Sequence, residues 1–305
     1  MNPWLWLLVP FALWLVAEFK TSRPDATLER VHPFRRILLY LLPTRNEAVV
    51  YYDAFLDAEK LLAFLDKHKR EGTGADMTHA TLAAANIGLA STPKMNRFVV
   101  GRRLYMRKGR WLSFSMKRKR MDREAQISTV KLEMPDGETF LDLVKRVNGG
   151  IVEERSGKKT RTDKEIDVFN LFPRPILRGG AWALRTLDEY NLLPKWYVDG
   201  DPLFTSIFVA NLGSLGMGAG YHHLFEYGNC PLFIMIGKVE DRVVPRDGQP
   251  VVRPILHLRF TYEERIEDGL NAKYGIDNLV AVLEDPERFL ASGPMWPRAE
   301  SAAAK

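Results

Sequence analysis

The chain has 305 residues, of which 46% are apolar and 27% are charged, and its formal net charge is +6. This apolar content is typical of folded globular proteins and excludes a disordered or collagen-like chain. The single cysteine, Cys230, excludes an internal disulfide framework and any zinc or iron–sulfur site built from several cysteines. We expect Cys230 to be a small buried residue.

An apolar segment lies near the start of the sequence. Residues 4–17 are fourteen residues without a charge, and three of them are tryptophans. A membrane-spanning helix needs about 20 apolar residues, whereas tryptophan is frequent at the membrane–water interface. We predict a hydrophobic membrane-anchor helix over residues 1–20, which spans the bilayer or lies in its interface. A core or partner-docking helix and a cleaved signal peptide are the alternatives.

The segment that follows is polar and basic. Residues 21–46 are predicted to form a linker, although an apolar patch at 37–42 interrupts it. Lysine and arginine beside an apolar segment mark the cytoplasmic side of a membrane, so we expect the main domain on that side. This domain is predicted over residues 47–292, and a flexible tail over residues 293–305.

Hydrophobic periodicity inside the predicted domain indicates both helices and strands. Their order is not a regular βαβ repeat, which predicts an α+β domain with a mixed sheet. Asp76 or Thr78 would cap the helix that follows them. The predicted strands cover residues 48–56, 98–116 (two strands around a turn at 108–109), 126–134, 204–212, 232–239 and 251–262 (after a turn at 247–248), and the predicted helices cover residues 58–69, 80–89, 140–152, 179–192 and 276–283.

Three local patterns contain residue types that could support binding or chemistry. Basic clusters at 117–120 and 158–161 could attract phosphate, acidic lipid or nucleic acid, but no nucleic-acid-binding motif accompanies them. We therefore expect solvated loops there and no nucleic-acid partner. The glycine-rich run 213–220 fits neither a dinucleotide fingerprint nor a P-loop. The pair His222–His223 could supply a base or a metal ligand, with a hydrogen-bonded structural role as the alternative.

Several motifs occur in the order found in one known family. From about Glu47 to Leu290, the chain resembles the catalytic domain of the E2 acyltransferases of 2-oxoacid dehydrogenase complexes and the related chloramphenicol acetyltransferase. Residues 92–97 (TPKMNR) look like that family's Pro-x-x-Asn element after a helix, and residues 208–213 (FVANLG) resemble its Ser-Asn-Leu-Gly strand. Residues 263–269 (EERIEDG) stand where the family has its Asp-His-Arg-x-x-Asp-Gly signature.

The resemblance implies a fold, an assembly and a site. The fold would be α+β, a chloramphenicol acetyltransferase-like mixed sheet with flanking helices, preceded here by the N-terminal hydrophobic helix. The assembly would be a homotrimer or a larger homo-oligomer, with sites between subunits. The site would contain Arg265 and Asp268, which match the family signature, together with the positions of Ala210 and Glu264.

Two of these positions carry a different residue from the family. Glu264 occupies the place of the catalytic histidine, and a carboxylate with a pKa near about 4.3 is a weaker base for a thiol than an imidazole near about 6.5. Ala210 occupies the place of the serine that hydrogen-bonds the oxyanion. A methyl group donates no hydrogen bond, and one such donor contributes roughly 10²–10³ in rate. The sequence therefore predicts a degenerate site.

Three hypotheses about function follow from these residues. The first is a degenerate, membrane-associated scaffold that requires no cofactor and binds coenzyme A or an acyl-CoA as a ligand. The second is an active coenzyme A-dependent acyltransferase in which Glu264, or His222 or His223, replaces the family's histidine. The third is an anchoring subunit of another protein complex, such as a redox or transport complex.

Overall fold

The structure is a computed structural model, and it describes residues 5–119, 122, 124, 126–156 and 167–297. The predicted basic cluster at 158–161, Arg120 and the last part of the predicted tail, 298–305, lie outside these residues. The helices are α1 (Leu5–Phe19), α2 (Pro33–Leu41), α3 (Glu59–Arg70), α4 (Met77–Ser91), α5 (Phe140–Arg155), α6 (Arg174–Glu189), α7 (Lys195–Gly200), α8 (Gly269–Glu284) and α9 (Pro286–Leu290). The strands are β1 (Ala26–Leu28), β2 (Val49–Asp57), β3 (Arg97–Val100), β4 (Arg103–Arg107), β5 (Trp111–Lys117), β6 (Ile127–Glu133), β7 (Ile207–Asn211), β8 (Leu232–Arg246) and β9 (Gln249–Glu263).

Two sheets organise the molecule. The larger has six strands in the order β2-β9-β8-β7-β5-β6, and the smaller has three in the order β1-β4-β3. In the larger sheet β7 is parallel to both β5 and β8, and the other neighbours are antiparallel. This confirms the prediction of an α+β domain with a mixed sheet and flanking helices.

The hydrophobic core lies between one face of the larger sheet and helices α3, α4, α5 and α8. Phe64, Phe140 and Leu279 of the helices pack in it together with Ile234 and Leu256 of the sheet, and none is more than 3% exposed. Each buried side chain of this size contributes about 1.5–3 kcal/mol by leaving water. We call this side of the sheet the helix-packed face.

Helix α4 shows how the sequence shapes this core. Asp76 caps it, as predicted, through hydrogen bonds that its side chain accepts from the backbone of Thr78 and His79. The helix is rich in alanine, and a Cβ at Gly88 would lie only 3.0 Å from the carbonyl oxygen of Gly275 in α8. Small residues therefore let α4 and α8 approach closely on the sheet.

The region 98–116 differs from its prediction. It contains three strands, because the backbone turns at Gly101 and Arg102, both with φ of +55°. The first two strands belong to the smaller sheet, and only the third joins the larger one. Arginine rarely adopts positive φ, so the sequence pattern carried no signal for this turn.

Two helices begin at least five residues earlier than predicted. Helix α6 starts at Arg174, with Pro173 as its N-cap and Pro175 in its first turn, where proline costs no hydrogen bond. Helix α8 starts at Gly269, with Asp268 as its N-cap. In both cases the prediction relied on apolar periodicity, which begins only after the cap.

The predicted linker is not a free connection. Strand β1 pairs with β4, and α2 buries Leu39 in the main core. Arg23 is 6% exposed and binds Asp25 and, 2.9 Å away, Asp188. Charge pairing with distant residues therefore holds this basic segment on the domain, which composition alone did not indicate.

Both ends of the described chain also contact the domain. Helix α1 is present where the hydrophobic helix was predicted, and the side chain of Arg103 contacts Glu18 near its end. No helix in the described part of the chain combines the length and the apolar character needed to cross a membrane. At the other end, Met295 is 1% exposed and its N–H donates to Glu138, so the predicted tail begins as ordered chain.

Candidate functional site

The side of the larger sheet opposite the helices, which we call the open face, carries a row of mixed side chains. The strand register places Ser115, Ala210, Met235 and Arg259 side by side on β5, β7, β8 and β9. Side chains alternate between the two faces of a strand, so their neighbours in sequence point into the helix-packed core. The Ala210 position therefore lies at the centre of the open face.

A cavity of about 540 Å³ lies over three residues of this row, Ser115, Ala210 and Met235. The loop that follows β7 covers it and contributes His222, so the structure brings Ala210 and His222 to one cavity although twelve positions separate them. Ser115 also lines it, and sequence reasoning missed this hydroxyl because only strand pairing brings it beside Ala210. The other lining residues are largely apolar, and they include Phe208, Phe225, Phe233 and Met235.

His222 is half-buried and has a defined orientation. Its ring stacks on Phe233 with centroids 4.1 Å apart, and its Nδ1 lies 2.6 Å from the carbonyl oxygen of His223. Burial lowers the pKa of His222 below the usual value for histidine, so the imidazole is neutral at pH 7. The carbonyl selects the tautomer with hydrogen on Nδ1, which leaves Nε2 as a base.

A second cavity, of about 380 Å³, meets the first at the ends of β5 and β7. Ser115, Ala210 and Leu212 line both cavities. The second is bounded by the N-terminal end of α4, where the hydroxyl of Thr78 accepts a hydrogen bond from the side chain of Asn211. A long ligand that occupied both cavities would therefore run past Ala210.

Two other polar side chains near Ala210 in the sequence, those of Ser206 and Asn211, already have hydrogen-bond partners. Ser206 is fully buried, and its hydroxyl accepts the backbone N–H of Trp111 at 3.0 Å. Asn211 binds Thr78 of α4 and accepts the N–H of Ser214. Both side chains are therefore held by hydrogen bonds to other parts of the chain.

Glu264 is placed away from Ala210. It follows the last residue of β9, its side chain is exposed, and its backbone N–H donates to Ala48 at 2.8 Å. It is not among the described residues that line either cavity. Within one chain, the predicted base position and the predicted oxyanion position do not form one site.

Arg265 has a structural environment. It is 3% exposed, and its guanidinium donates to Glu263 at 2.6 Å and to the carbonyl of Leu42 at 2.7 Å. Glu263 is fully buried and also lies 3.3 Å from Arg45. Arg265, Glu263 and Arg45 therefore form a buried ion cluster at the end of β9.

Asp268 acts as a helix cap. Its carboxylate accepts the backbone N–H of Asn271 at 3.0 Å, and this bond lowers the pKa of Asp268. The preceding Glu267 is 4% exposed and lies 2.8 Å from both Arg35 and Arg97. Sequence reasoning missed this buried ion network, because its members come from three distant parts of the chain.

The remaining predicted residues of interest lie beside this site. His223 is exposed and stacks on His222 with centroids 5.0 Å apart. Cys230 is 2% exposed, as predicted, and burial raises the pKa of its thiol to about 11. A buried neutral thiol is a poor nucleophile, so we assign Cys230 to packing.

Comparison with known proteins gives segments of similar sequence. No protein-family model matches the chain. The dihydrolipoyllysine-residue acetyltransferase component of the Bacillus subtilis pyruvate dehydrogenase complex is 27% identical over 85 residues, which are 28% of this chain and 19% of that protein. The dihydrolipoyllysine-residue succinyltransferase component of the Cupriavidus necator 2-oxoglutarate dehydrogenase complex is 45% identical over 64 residues, or 20% and 15% of the two chains. The matches thus span less than a fifth of either relative.

Solved structures extend the likeness to most of the fold. Dihydrolipoamide acetyltransferase of Azotobacter vinelandii superposes with a TM-score of 0.56 at 16% identity, over 88% of this chain and 93% of that one. The truncated catalytic core of the Thermoplasma acidophilum 2-oxoacid dehydrogenase complex gives 0.53 at 15% identity, over 85% and 99%. The sequence and structure neighbours of the chain are E2 acyltransferase catalytic domains, as its motifs indicated, and it has their fold.

Proposed function

We propose that this protein is a degenerate E2-like subunit that does not transfer acyl groups. It acts as a membrane-associated, homo-oligomeric scaffold that binds coenzyme A or an acyl-CoA. One observation carries the proposal: the position at the junction of the two cavities is Ala210, whose methyl group donates nothing to a developing oxyanion.

The positions of residues 263–269 also support the loss of acyl-transfer activity. Asp268 and Arg265 are retained, but they cap α8 and hold Glu263. A general base must come within about 3 Å of the proton it removes, and Glu264 lies outside both cavities of its own chain. Even if an oligomer brought Glu264 to a neighbour's Ala210, a carboxylate would remain a weak base for a thiol.

The shape of the site supports retained ligand binding. Two cavities of about 540 and 380 Å³ share Ser115 and Ala210, which suits a long, thin ligand such as the pantetheine arm of coenzyme A. Apolar walls around a few polar groups are typical of ligand sites. The second cavity also includes Lys117 and Arg155, which match a phosphate-bearing ligand in charge.

Membrane association rests on α1. Its side chains from Val9 to Phe19 include six large apolar groups that are 48–78% exposed. A 15-residue helix is about 22 Å long, less than the roughly 30 Å hydrocarbon core, so we place α1 in the interface. The main domain would lie on the cytoplasmic side. Oligomerisation is proposed because E2 cores of multienzyme complexes share this fold.

One observation favours a second candidate, an active acyltransferase. His222 is neutral at pH 7 and lines the same cavity as Ser115 and Ala210. Its Nε2 would remove the proton of the acceptor as the acceptor attacks the thioester carbonyl, and the Ser115 hydroxyl would donate to the oxyanion. When the C–S bond breaks, the imidazolium would return that proton to the departing coenzyme A thiolate. This candidate needs no contribution from Glu264.

The test measures acyl transfer and ligand binding on the same 305-residue protein. Transfer from acetyl-CoA and longer acyl-CoAs to dihydrolipoamide and simple amines is followed by thiol release, and coenzyme A binding by calorimetry. We expect binding without turnover. Turnover abolished by His222→Ala, and kept by the neighbouring control His223→Ala, would establish the second candidate; turnover abolished by Glu264→Ala would show a working carboxylate base.

A gain-of-function variant sharpens the result. The double substitution Ala210→Ser with Glu264→His restores both family residues. If degeneracy alone explains inactivity, this variant gains transfer activity while binding coenzyme A as the wild type does. Absence of coenzyme A binding in the wild type would refute the ligand-binding part of the proposal.

A further inference from the structure

Residues of the turn between β3 and β4 contact helices α1 and α2. Next to Gly101, the guanidinium of Arg102 lies 5.6 Å from the ring of Tyr40 in α2. The guanidinium of Arg103 lies 3.4 Å from Glu18 near the end of α1. One turn of the smaller sheet therefore positions both α1 and α2.

Helix α6 reaches the same turn with its C-terminal end. A Cβ at Gly101 would collide with the carbonyl oxygen of Glu189, so the two backbones are in direct contact. Asp188 binds Arg23, and the side chain of Asn191 donates to the carbonyl of Lys20, just after α1. The ends of α1, α2 and α6 thus lie together on one side of the molecule.

Helix α2 exposes an apolar stripe. Phe34, Ile37 and Leu41 have the spacing of one helix face, and they are 69%, 55% and 68% exposed. The opposite face of α2 buries Leu39 and directs Arg35 to Glu267. The helix is therefore fixed on the domain with its apolar stripe uncovered.

Helix α6 and the residues before it are also uncovered. Ile176 and Trp182 of the helix are 53% and 69% exposed. Ahead of it, Phe169, Leu171 and Phe172 are 51%, 80% and 46% exposed. Large apolar side chains this close together in sequence rarely stay uncovered on a soluble monomer.

Basic residues accompany these apolar groups. Arg36 lies on α2, and Arg174, Arg178 and Arg185 have the spacing of one face of α6; all four are exposed. Interfacial helices combine aromatic and aliphatic groups with arginine and lysine in this way, because lipid headgroups carry negative charge.

We propose that α1, α2 and α6, with residues 168–172, form one docking face for an anionic lipid bilayer. The inference rests on the proposed membrane association and extends it from one helix to a surface that orients the whole domain. A second copy of the chain fits less well, because in a symmetric pair the exposed arginines of this surface would face the same positive charges of the other copy. Helix α1, whose described side chains are apolar apart from Glu18 at its end, also suits lipid better than a protein partner.

The experiment uses the full chain and vesicles of phosphatidylcholine with or without phosphatidylglycerol. Cys230 is the single cysteine and is buried, so introduced cysteines can be labelled selectively with an environment-sensitive fluorophore. Labels are placed by Ile37→Cys and Ile176→Cys. The matched control is Val243→Cys, which is 69% exposed on the β8–β9 hairpin.

We expect the protein to float with anionic vesicles, with blue-shifted emission at positions 37 and 176 and no shift at position 243. The pair Arg178→Gln and Arg185→Gln should weaken binding by roughly fivefold per charge. Flotation without a shift at 37 and 176 would overturn the docking face and leave anchoring by α1 intact. Failure to float would refute both, and a concentration-dependent shift without vesicles would show that a second copy covers the surface.

Discussion

The two faces of the six-stranded sheet differ in the side chains they carry and in how completely they are covered. On the helix-packed face, residues such as Leu256 and Ile234 are buried in the hydrophobic core against four helices. On the open face, Ser115, Arg259 and Thr261 alternate with aromatic side chains, and a loop covers only part of the surface. Both sets of residues come from the same strands, because alternate side chains point to opposite faces.

This difference separates stability from function. The helix-packed face stabilises the fold by area buried, so any apolar group of suitable size serves there. The open face leaves space at Ala210 and His222, where a single change of side chain alters chemistry while the fold persists. A degenerate member of an enzyme family can therefore keep the complete architecture.

The largest expected effect concerns the buried ion cluster at the end of β9. Glu263 is fully buried against Arg265 and Arg45, so Glu263→Gln leaves two buried guanidinium groups without their charge partner. We expect the free energy of unfolding to fall by about 3–5 kcal/mol. Urea denaturation measures it, with Glu240→Gln in an exposed ion pair as a control that should change little. If both variants lost the same free energy of unfolding, burial of the Glu263 ion cluster would not be the cause.

The next effect tests the helix-packed face. Leu256→Ala removes a fully buried side chain from β9, and we expect a loss of about 2–5 kcal/mol in the free energy of unfolding. Val252→Ala changes a residue of the same strand that is 62% exposed, and it should cost less than about 0.5 kcal/mol. Similar midpoints for the two variants in denaturant would show that the core does not extend to Leu256.

A smaller effect concerns the cap of α4, which borders the second cavity. Asp76→Ala should cost about 1 kcal/mol by removing the N-cap. Desolvation opposes ionisation of Asp76, but hydrogen bonds from His79 and the backbone of Thr78 outweigh it and lower the pKa. The contribution is therefore full above the unfolded pKa near about 3.9 and is lost as the pH falls through the lower folded value.

The matched variant for this prediction is Asp76→Asn, which keeps a capping side chain without a titratable charge. Thermal unfolding at several acidic pH values should show the advantage of wild type over Asp76→Asn shrinking on acidification. A constant difference across this range would mean that the charge of Asp76 does not contribute.

The smallest expected effect is on the pH dependence of stability, and it concerns His222 in the first cavity. Burial lowers the folded pKa of His222, so near and below about pH 6.5 the unfolded chain takes up a proton that the folded chain does not. Stability contributed by this group is therefore present above that pH and decreases on acidification. His222→Gln should flatten the pH dependence of the free energy of unfolding near pH 6, while His223→Gln serves as the control in the same loop. An unchanged slope in His222→Gln would disprove the burial effect.

Local patterns determined much of the architecture from sequence. Alternation predicted strand β6, the pair 247–248 predicted the β8–β9 turn, and Asp76 was one of the two residues predicted to cap α4. These features depend on residues within a few positions of one another, so the sequence displays them directly. The motifs at 208–213 and 263–269 likewise identified the family to which the neighbours of this chain belong.

Only the tertiary structure decided how distant residues combine. It paired the predicted linker with β4, placed Ser115 and His222 in one cavity with Ala210, and kept Glu264 outside that cavity. Strand register and buried ion pairs join residues far apart in sequence, and a local pattern does not encode which partner each will meet. The sequence thus determined which groups this protein has for chemistry, and long-range packing determined which of them share a site.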